Sequence, residues 1–256
     1  MGKFEPYSRR ELRRRRATWL RRNVIVVTVV VVGIAGMLAI SSIVVVTTMA
    51  GVAGWYVLGI VHAGLVAAGL HLLHSAFLAL DREALWHVRG AWGEDNTRSE
   101  LRRAKRRRLI WGWVDSINLK AGDLDHVVIA RRGGLVALDS KWRNEVTARD
   151  TAEMARAANR AKARAEGLAR TLLKREHGAQ HRAKVQSLTV TPVVVLWGAA
   201  QTTVPDGAVI EGVRFVSGRQ LLGWLRELDG NPVPKEAAMD ALQRLKKYRV
   251  TAWQDA

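Results

Sequence analysis

The chain has 256 residues, of which 41 are Lys or Arg and 23 are Asp or Glu, so its formal net charge is +18. Because 48% of the residues are hydrophobic, the composition excludes a disordered polycation and fits one or two folded domains. The sequence has no cysteine, which excludes disulfide bonds, zinc–thiolate sites, iron–sulfur clusters and a cysteine nucleophile.

Charged side chains are absent from residues 23–80. A membrane span needs roughly 20 apolar residues, so this block is too long for one span and fits two, at residues 24–46 and 55–80. The segment between them, residues 47–54, is the least hydrophobic part and contains two closely spaced glycines. We therefore predict that residues 23–80 form a two-helix transmembrane hairpin with a tight loop.

Basic residues flank the predicted hairpin on both sides. The tail at residues 1–22 is rich in arginine, and Arg82, Arg89 and Arg98 follow the second span. Because basic flanks stay on the cytoplasmic side, we expect a cell-membrane protein whose N-terminus and C-terminal domain are both cytoplasmic. The tail is expected to contact anionic lipid. A signal peptide is the alternative, but the hydrophobic run is longer than a signal core and a second span follows it.

Three histidines, His62, His71 and His74, lie in the second predicted span. Histidines in a membrane either form a metal or proton site or are neutral and hydrogen-bonded to the partner helix or to interfacial water. No acidic residue lies in either predicted span to complete a proton relay. We therefore favour hydrogen-bonded, neutral side chains.

Beyond a predicted linker at residues 81–91, helical and strand-like segments alternate. The predicted helices lie at residues 92–108, 149–176, 219–228 and 235–248, and the predicted strands at 109–119, 125–130, 135–142, 187–197 and 212–216. Asn96 or Thr97 would cap a shorter version of the first helix, with Glu100 completing a capping box. This order predicts an α/β or α+β domain at residues 92–256, in which helices cover a sheet.

The sharpest chemical pattern lies in the second and third strands of this domain. Asp125 begins one strand, and Asp139 and Lys141 share one face of the next because residues two apart on a strand point the same way. An antiparallel pairing would bring Asp125 alongside them. Carboxylates suit Mg²⁺, and an ammonium group can neutralise charge on a phosphate. The alternative is a surface salt bridge between Asp139 and Lys141.

Three sequence blocks in this order resemble the nuclease-related domain (NERD) family: GE at 93–94, DHVV at 125–128 and GLVALDSKW at 134–142. The resemblance covers about residues 90–195. That family is assigned to the PD-(D/E)xK nuclease superfamily. The resemblance therefore implies a restriction-endonuclease-like fold, with a mixed sheet flanked by helices. It also implies phosphodiester hydrolysis of nucleic acid, DNA being favoured over RNA, with Mg²⁺ or Mn²⁺ as the cofactor.

The resemblance also implies catalytic roles for four residues. Glu94, Asp125 and Asp139 would bind the metal, and Lys141 would assist the attacking water. Asp139 stands where the family more usually has Glu, and Leu124 stands where the superfamily name has Pro. A catalytically inactive module of the same fold, which binds nucleic acid or acts as a scaffold at the membrane, is the alternative.

His126 directly follows the predicted metal-binding aspartate. One interpretation gives His126 a role in the site, as a general base or as a residue that contacts the metal ligands. The second interpretation is that it packs on the opposite face of the sheet from Asp125. Because neighbours on a strand alternate between faces, we favour the second interpretation. Related nucleases often place a Gln early in the helix predicted here at 149–176, and this sequence has none there.

The helix predicted at 92–108 is densely basic. Its cationic residues are Arg98, Arg102, Arg103, Lys105, Arg106, Arg107 and Arg108. Such density suits either the phosphates of nucleic acid or the anionic lipid of the nearby membrane, and both partners stay open. The candidate nucleic-acid-binding residues are Arg102, Arg103, Arg106 and Arg107, together with Trp142, which would stack on a base.

Overall fold

The computed structural model describes residues 7–49, 51–119, 122–174 and 190–254. Within them the chain divides into two compact units, Tyr7–Val88 and the chain from Arg89 onward. Each unit has its own apolar clusters, and the candidate chemistry lies in the second.

The first unit contains helices α1 (Tyr7–Arg22), α2 (Val24–Thr48) and α3 (Val52–Leu80). By length and composition, α2 and α3 can each cross a membrane, with a mean hydropathy of 2.8 and 1.8. This confirms the two apolar helices predicted from the uncharged block. The connection is shorter than predicted because both helices extend into it. Gly51 at φ +81° supplies a backbone conformation that ends the helical path.

Close contacts join α2 and α3. A Cβ atom on Gly69 would lie only 2.0 Å from Cδ1 of Ile34, so a side chain at this position would require the Ile34 side chain to move. The Nε2 atom of His62 lies 3.1 Å from Oγ of Ser42 on the neighbouring helix. For His62, the structure thus confirms the prediction of hydrogen bonding to the partner helix.

Helix α1 packs against the end of α3. Trp19 is buried, and its ring meets that of Phe77 edge-on at a centroid distance of 5.8 Å. Arg15 forms ion pairs with Asp81 and Glu83, the first acidic residues after the uncharged block. One arginine of the basic tail is therefore bound within the unit.

Helix α4 (Arg82–Arg106) begins in the first unit and continues into the second. It starts ten residues before the predicted helix, so most of the predicted linker at residues 81–91 is helical. The reason lies in Asp81, whose Oδ1 accepts a hydrogen bond from the N–H of Ala84 at 3.0 Å and caps the helix. Asn96 and Thr97 lie inside α4, so the predicted cap at these residues is wrong.

The second unit is built on a six-stranded mixed sheet. Its strands are β1 (Ile110–Ile117), β2 (Leu124–Ala130), β3 (Leu135–Trp142), β4 (Val190–Trp197), β5 (Val209–Ile210) and β6 (Val213–Ser217). The spatial order is β1-β2-β3-β4-β6-β5. Strands β1 to β3 are antiparallel, β3, β4 and β6 are parallel, and β5 is antiparallel to β6. Strand β5 has two residues, which is too short for a sequence pattern to predict.

Helices cover both faces of the sheet. Among the described residues after β3, the α-helices are α5 (Ala148–Lys174), α6 (Leu221–Glu227) and α7 (Lys235–Gln254). Helices α5 and α7 pack on the face that carries Val127 and Ala137, whereas α4 and α6 pack on the face that carries Val128 and Leu138. The domain is therefore a mixed α/β fold, as predicted. The predicted end of the helix at 176 and the predicted strand start at 187 lie outside the described residues.

Candidate active site

The pairing of β2 with β3 brings the predicted polar residues together. The strands are antiparallel with His126 opposite Leu138, which places Asp125 opposite Asp139. The N–H of Ser140 donates to Oδ2 of Asp125 at 3.0 Å, and Nζ of Lys141 lies 2.5 Å from Oδ1 of Asp139. The convergence of Asp125, Asp139 and Lys141 expected from strand periodicity is therefore observed.

These three side chains line a cavity of about 150 Å³ between the sheet and α5. The helix contributes Ala157, Ala161 and Arg164. A space of this size holds several water molecules, and its lining is charged on the sheet side. The cavity is thus suited to a small polar or ionic group.

The two carboxylates in the cavity differ in acidity. Burial raises the pKa of Asp125 to about 7, and the negative charges of Asp139 and Glu94 act in the same direction. Burial would also raise the pKa of Asp139, but the charge and hydrogen bond of Lys141 hold it below its usual value. Asp139 is therefore ionised near neutral pH, while Asp125 exchanges a proton in that range.

Lys141 stays charged in this environment. Burial alone would lower the pKa of its ammonium group, but the negative charges of Asp139 and Asp125 raise it above its usual value. A lysine that keeps its proton cannot act as a general base. It can donate hydrogen bonds to water or stabilise negative charge on a phosphate.

Glu94 is not among the residues that line the cavity. It is buried on α4 and influences Asp125 through its charge. Among the residues that the structure describes, no group of three or more His, Asp or Glu side chains is placed to hold a metal ion. A Mg²⁺ ion usually keeps several water molecules and is held by one or two carboxylates, so Asp125 and Asp139 fit such an ion without Glu94.

His126 belongs to a polar network on the opposite face of the sheet. It is 1% exposed, and its Nδ1 donates to Oδ1 of Asp115 at 2.7 Å. Trp113 and Arg98 also donate to this carboxylate. Burial would raise the pKa of Asp115, but the hydrogen bond and charge of His126, together with Arg98, lower it to about 2. The imidazole of His126 is therefore held by Asp115, as expected for a side chain on the opposite face of β2 from Asp125, although the residue also borders the cavity.

Thr97 ties α4 to the strands that flank the cavity. Its Oγ1 accepts hydrogen bonds from Oγ of Ser140 and from Nε1 of Trp197, both at 2.8 Å. Ser140 lies between Asp139 and Lys141, so its side chain points to α4 while its neighbours point to α5. Both faces of this part of β3 are thus occupied by specific polar contacts.

The predicted nucleic-acid-binding arginines lie away from the cavity. Arg102, Arg103 and Arg106 are exposed on α4, and Arg107 is exposed just after it. Because the buried residues of α4 pack on the sheet face opposite α5, these side chains are not brought together with Asp125 and Asp139.

Trp142, the predicted base-stacking residue, is half-buried at the end of β3. Its ring meets that of Trp92, which is 52% exposed, edge-on at a centroid distance of 5.6 Å. The indole of Trp142 is thus already in contact with another aromatic side chain. Trp92 is the more accessible member of the pair.

The helix side of the cavity was not predicted from the sequence. Ala157, Ala161 and Arg164 recur at helical spacing, so they form one stripe of α5. The spacing was present in the sequence. However, only the packed sheet shows which stripe of this Ala- and Arg-rich helix faces the carboxylates.

Comparison of the chain with protein-family models, with curated proteins and with solved structures gives no significant match to any of them.

Proposed function

We propose that this protein is a membrane-anchored nuclease whose α/β domain hydrolyses phosphodiester bonds of nucleic acid, DNA being favoured. The proposal includes membership of the nuclease-related domain family and its restriction-endonuclease-like fold. The observation that carries it is the convergence of Asp125, Asp139 and Lys141 on one cavity. This arrangement fits the roles that the sequence resemblance implies.

The proposed chemistry assigns a role to each side chain. Asp139 is ionised, and Asp125 loses its proton near pH 7, so together they hold Mg²⁺ or Mn²⁺. The bound cation would polarise a phosphoryl oxygen and make water more acidic. Lys141, which stays protonated, orients the attacking water and stabilises the negative charge that develops on the phosphate.

Glu94 has a supporting electrostatic role in this proposal. Its charge raises the pKa of Asp125 and so favours a proton on that carboxylate until a cation replaces it. This role differs from the direct ligation that the resemblance implies. It is supported by the absence, among the described residues, of a three-carboxylate group.

The proposed location is the cell membrane, with α2 and α3 as the two spans. The basic residues before α2 and after α3 favour a cytoplasmic N-terminus and a cytoplasmic α/β domain. The exposed arginines of α1 favour contact with anionic lipid. The exposed arginines at the end of α4, which lie across the sheet from the cavity, suit either lipid or the flanking parts of a nucleic acid.

A cleavage assay on the full chain in lipid nanodiscs tests the proposed activity. The substrates are plasmid DNA, linear duplex DNA, single-stranded DNA and RNA, each with Mg²⁺, Mn²⁺ or EDTA. Lys141→Ala is the test variant, and Lys162→Ala is its control because Lys162 lies on α5 and pairs with Glu166 outside the cavity.

We expect metal-dependent cleavage that Lys141→Ala abolishes and Lys162→Ala retains. The set of substrates that are cut would establish the preference between DNA and RNA. If the folded protein binds these substrates but cuts none of them, the nuclease proposal is wrong. The result would instead support the catalytically inactive binding or scaffold module.

A further inference from the structure

One cation lines the cavity from its helix side. Arg164 lines the cavity on α5, and Ala157 and Ala161 lie two turns and one turn before it on the same stripe. Alanine side chains are small, so they leave the space between the helix and the sheet open. On the α5 side, the cavity is therefore lined by two small side chains and one positively charged side chain.

The guanidinium of Arg164 is placed by the chain just before β2. Its Nη2 donates to the carbonyl oxygen of Asp123 at 3.3 Å. A Cβ atom on Gly122 would lie 2.8 Å from Nη1, so the guanidinium packs over a position without a side chain. Gly122 has φ +115°, which L side chains rarely adopt. Backbone and helix together thus hold the guanidinium at the cavity.

The arginines that were predicted from the sequence to bind nucleic acid do not line the cavity. They lie on or just after α4, which packs on the opposite face of the sheet from the cavity. A phosphodiester that reaches Asp125, Asp139 and Lys141 therefore meets Arg164 rather than the α4 arginines. An arginine fork matches the oxygens of a phosphate and can bind two of them at once.

We infer that Arg164 binds a phosphate group of the nucleic acid strand at the cavity and so sets substrate affinity there. The inference rests on the proposed nuclease function and adds the residue that holds the substrate. Arg164 acts in binding, whereas Lys141 acts on the reacting phosphate. Loss of Arg164 therefore raises Kd and KM more than it lowers kcat.

The test compares Arg164→Gln and Arg164→Lys with the wild-type chain in nanodiscs of neutral phosphatidylcholine. Arg160→Gln is the matched control, because Arg160 is an exposed arginine of the same helix and does not line the cavity. The first readout is the anisotropy of a fluorescein-labelled oligothymidylate in EDTA, which measures binding without cleavage. The second is KM and kcat with Mn²⁺, and thermal unfolding followed by tryptophan fluorescence reports the fold.

We expect Arg164→Gln to raise Kd and KM roughly tenfold, because one charge-assisted contact to phosphate is lost. Arg160→Gln also removes one positive charge, but its Kd and KM should stay within about twofold of the wild-type values. Arg164→Lys should fall between them, since an ammonium keeps the charge but lacks the planar fork. If Arg164→Gln unfolds, the comparison of Arg164→Lys with Arg160→Gln decides the question.

Equal Kd and KM for the Arg164 variants and Arg160→Gln would overturn the inference, while cleavage that depends on Lys141 would leave the proposed nuclease intact. A change in thermal unfolding without a change in oligonucleotide Kd would also overturn it, because Arg164 would then serve only to hold the chain at Asp123. A wild-type chain that neither binds nor cuts would overturn both proposals.

Discussion

The carboxylate of Asp125 accepts a hydrogen bond from the backbone N–H of Ser140, 3.0 Å away on the neighbouring strand. The donor is part of the backbone of β3, so its position does not depend on a side-chain rotamer. Asp139 and Lys141 flank Ser140 on the same strand. The sheet itself therefore fixes the spacing of the three residues at the cavity.

The first prediction concerns Asp125→Asn and pH. The pKa of Asp125 rises from 3.8 to about 7 on folding, so between these values the folded state holds a proton that the unfolded state has lost. Its contribution to stability is present below about pH 4 and is lost as the pH rises through about 7. Asparagine does not ionise and can still accept the Ser140 hydrogen bond.

In EDTA, the free energy of unfolding of Asp125→Asn should therefore match that of the wild type near pH 4. Near pH 8 it should exceed the wild-type value by at most about 4 kcal/mol. Urea unfolding of the full chain in detergent, followed by tryptophan fluorescence at both pH values, measures the difference. A variant that is less stable than the wild type at both pH values would contradict the assigned pKa.

The second prediction concerns a variant in which a larger side chain fills the cavity. Ala161→Leu would extend a larger side chain from α5 towards Asp139 and Lys141 without removing a polar group. We expect cleavage to fall at least about tenfold, with a change in stability of about 1–3 kcal/mol from overpacking. Ala163→Leu is the control because Ala163 is exposed on the same helix. Equal cleavage by the two variants would show that the substrate does not use this space.

The third prediction concerns the link between α4 and the sheet. Thr97→Val removes the oxygen that accepts hydrogen bonds from Ser140 and Trp197, so two buried donors lose their partner. We expect a loss of about 2–4 kcal/mol in the free energy of unfolding. Thr97→Ser keeps the oxygen and should recover most of that loss. The idea fails if denaturant titration gives the same midpoint for Val and Ser.

The fourth prediction concerns acid stability. Asp115 has a pKa of about 2 in the folded chain, below the ordinary value of 3.8, so its ionised form stabilises the fold above about pH 4. This contribution is lost as the pH falls towards about 2. Asp115→Asn should therefore cost about 2 kcal/mol near neutral pH, and the cost should shrink in acid.

Asp240→Asn is the control for this measurement, because Asp240 forms an exposed ion pair with Arg244. Such pairs contribute about 0–1 kcal/mol, so the control should stay close to the wild type at every pH. Denaturant unfolding across the acid range compares the three proteins. A pH-independent cost for Asp115→Asn would contradict the pKa given above.

The fifth prediction concerns the apolar helices. Gly69→Val would place side-chain atoms against Ile34, where even a Cβ comes within 2.0 Å of Cδ1. We expect the Ile34 side chain to be forced out of its present position, at a cost of about 1–3 kcal/mol. Gly64→Val, on the same helix with no atom within 4 Å of its added Cβ, is the control. Thermal unfolding in detergent should rank the wild type and Gly64→Val above Gly69→Val.

Several features were predictable from the sequence because they depend on local periodicity. The two apolar helices follow from length and the absence of charge. The pairing of Asp125 with Asp139 and Lys141 follows from alternation along two strands joined by a short turn. Gly133 and Gly134, both at positive φ, form that turn as their sequence indicates.

Other features depend on packing between distant segments. The position of Arg164 at the cavity requires the orientation of α5 against the sheet. The burial of His126 with Asp115 requires the pairing of β1 with β2, since polar residues on a strand ordinarily indicate an exposed face. The extension of α4 to Arg82 was missed because the end of the apolar block was interpreted as a linker, although Asp81 is a good helix cap.

The alternation of Asp139, Ser140 and Lys141 between the two faces of the sheet also disfavours compact folds in which β3 is out of register. A shift of β3 by one residue would place Asp139 and Lys141 beneath α4, next to Leu101 of that helix and Val128 of β2, and would turn Ser140 towards α5. Burying two charges in that apolar layer would cost far more than a shifted strand could recover. The same residues that are proposed to cut nucleic acid thus select the correct register, so a chain that reaches its stable fold has already assembled the site.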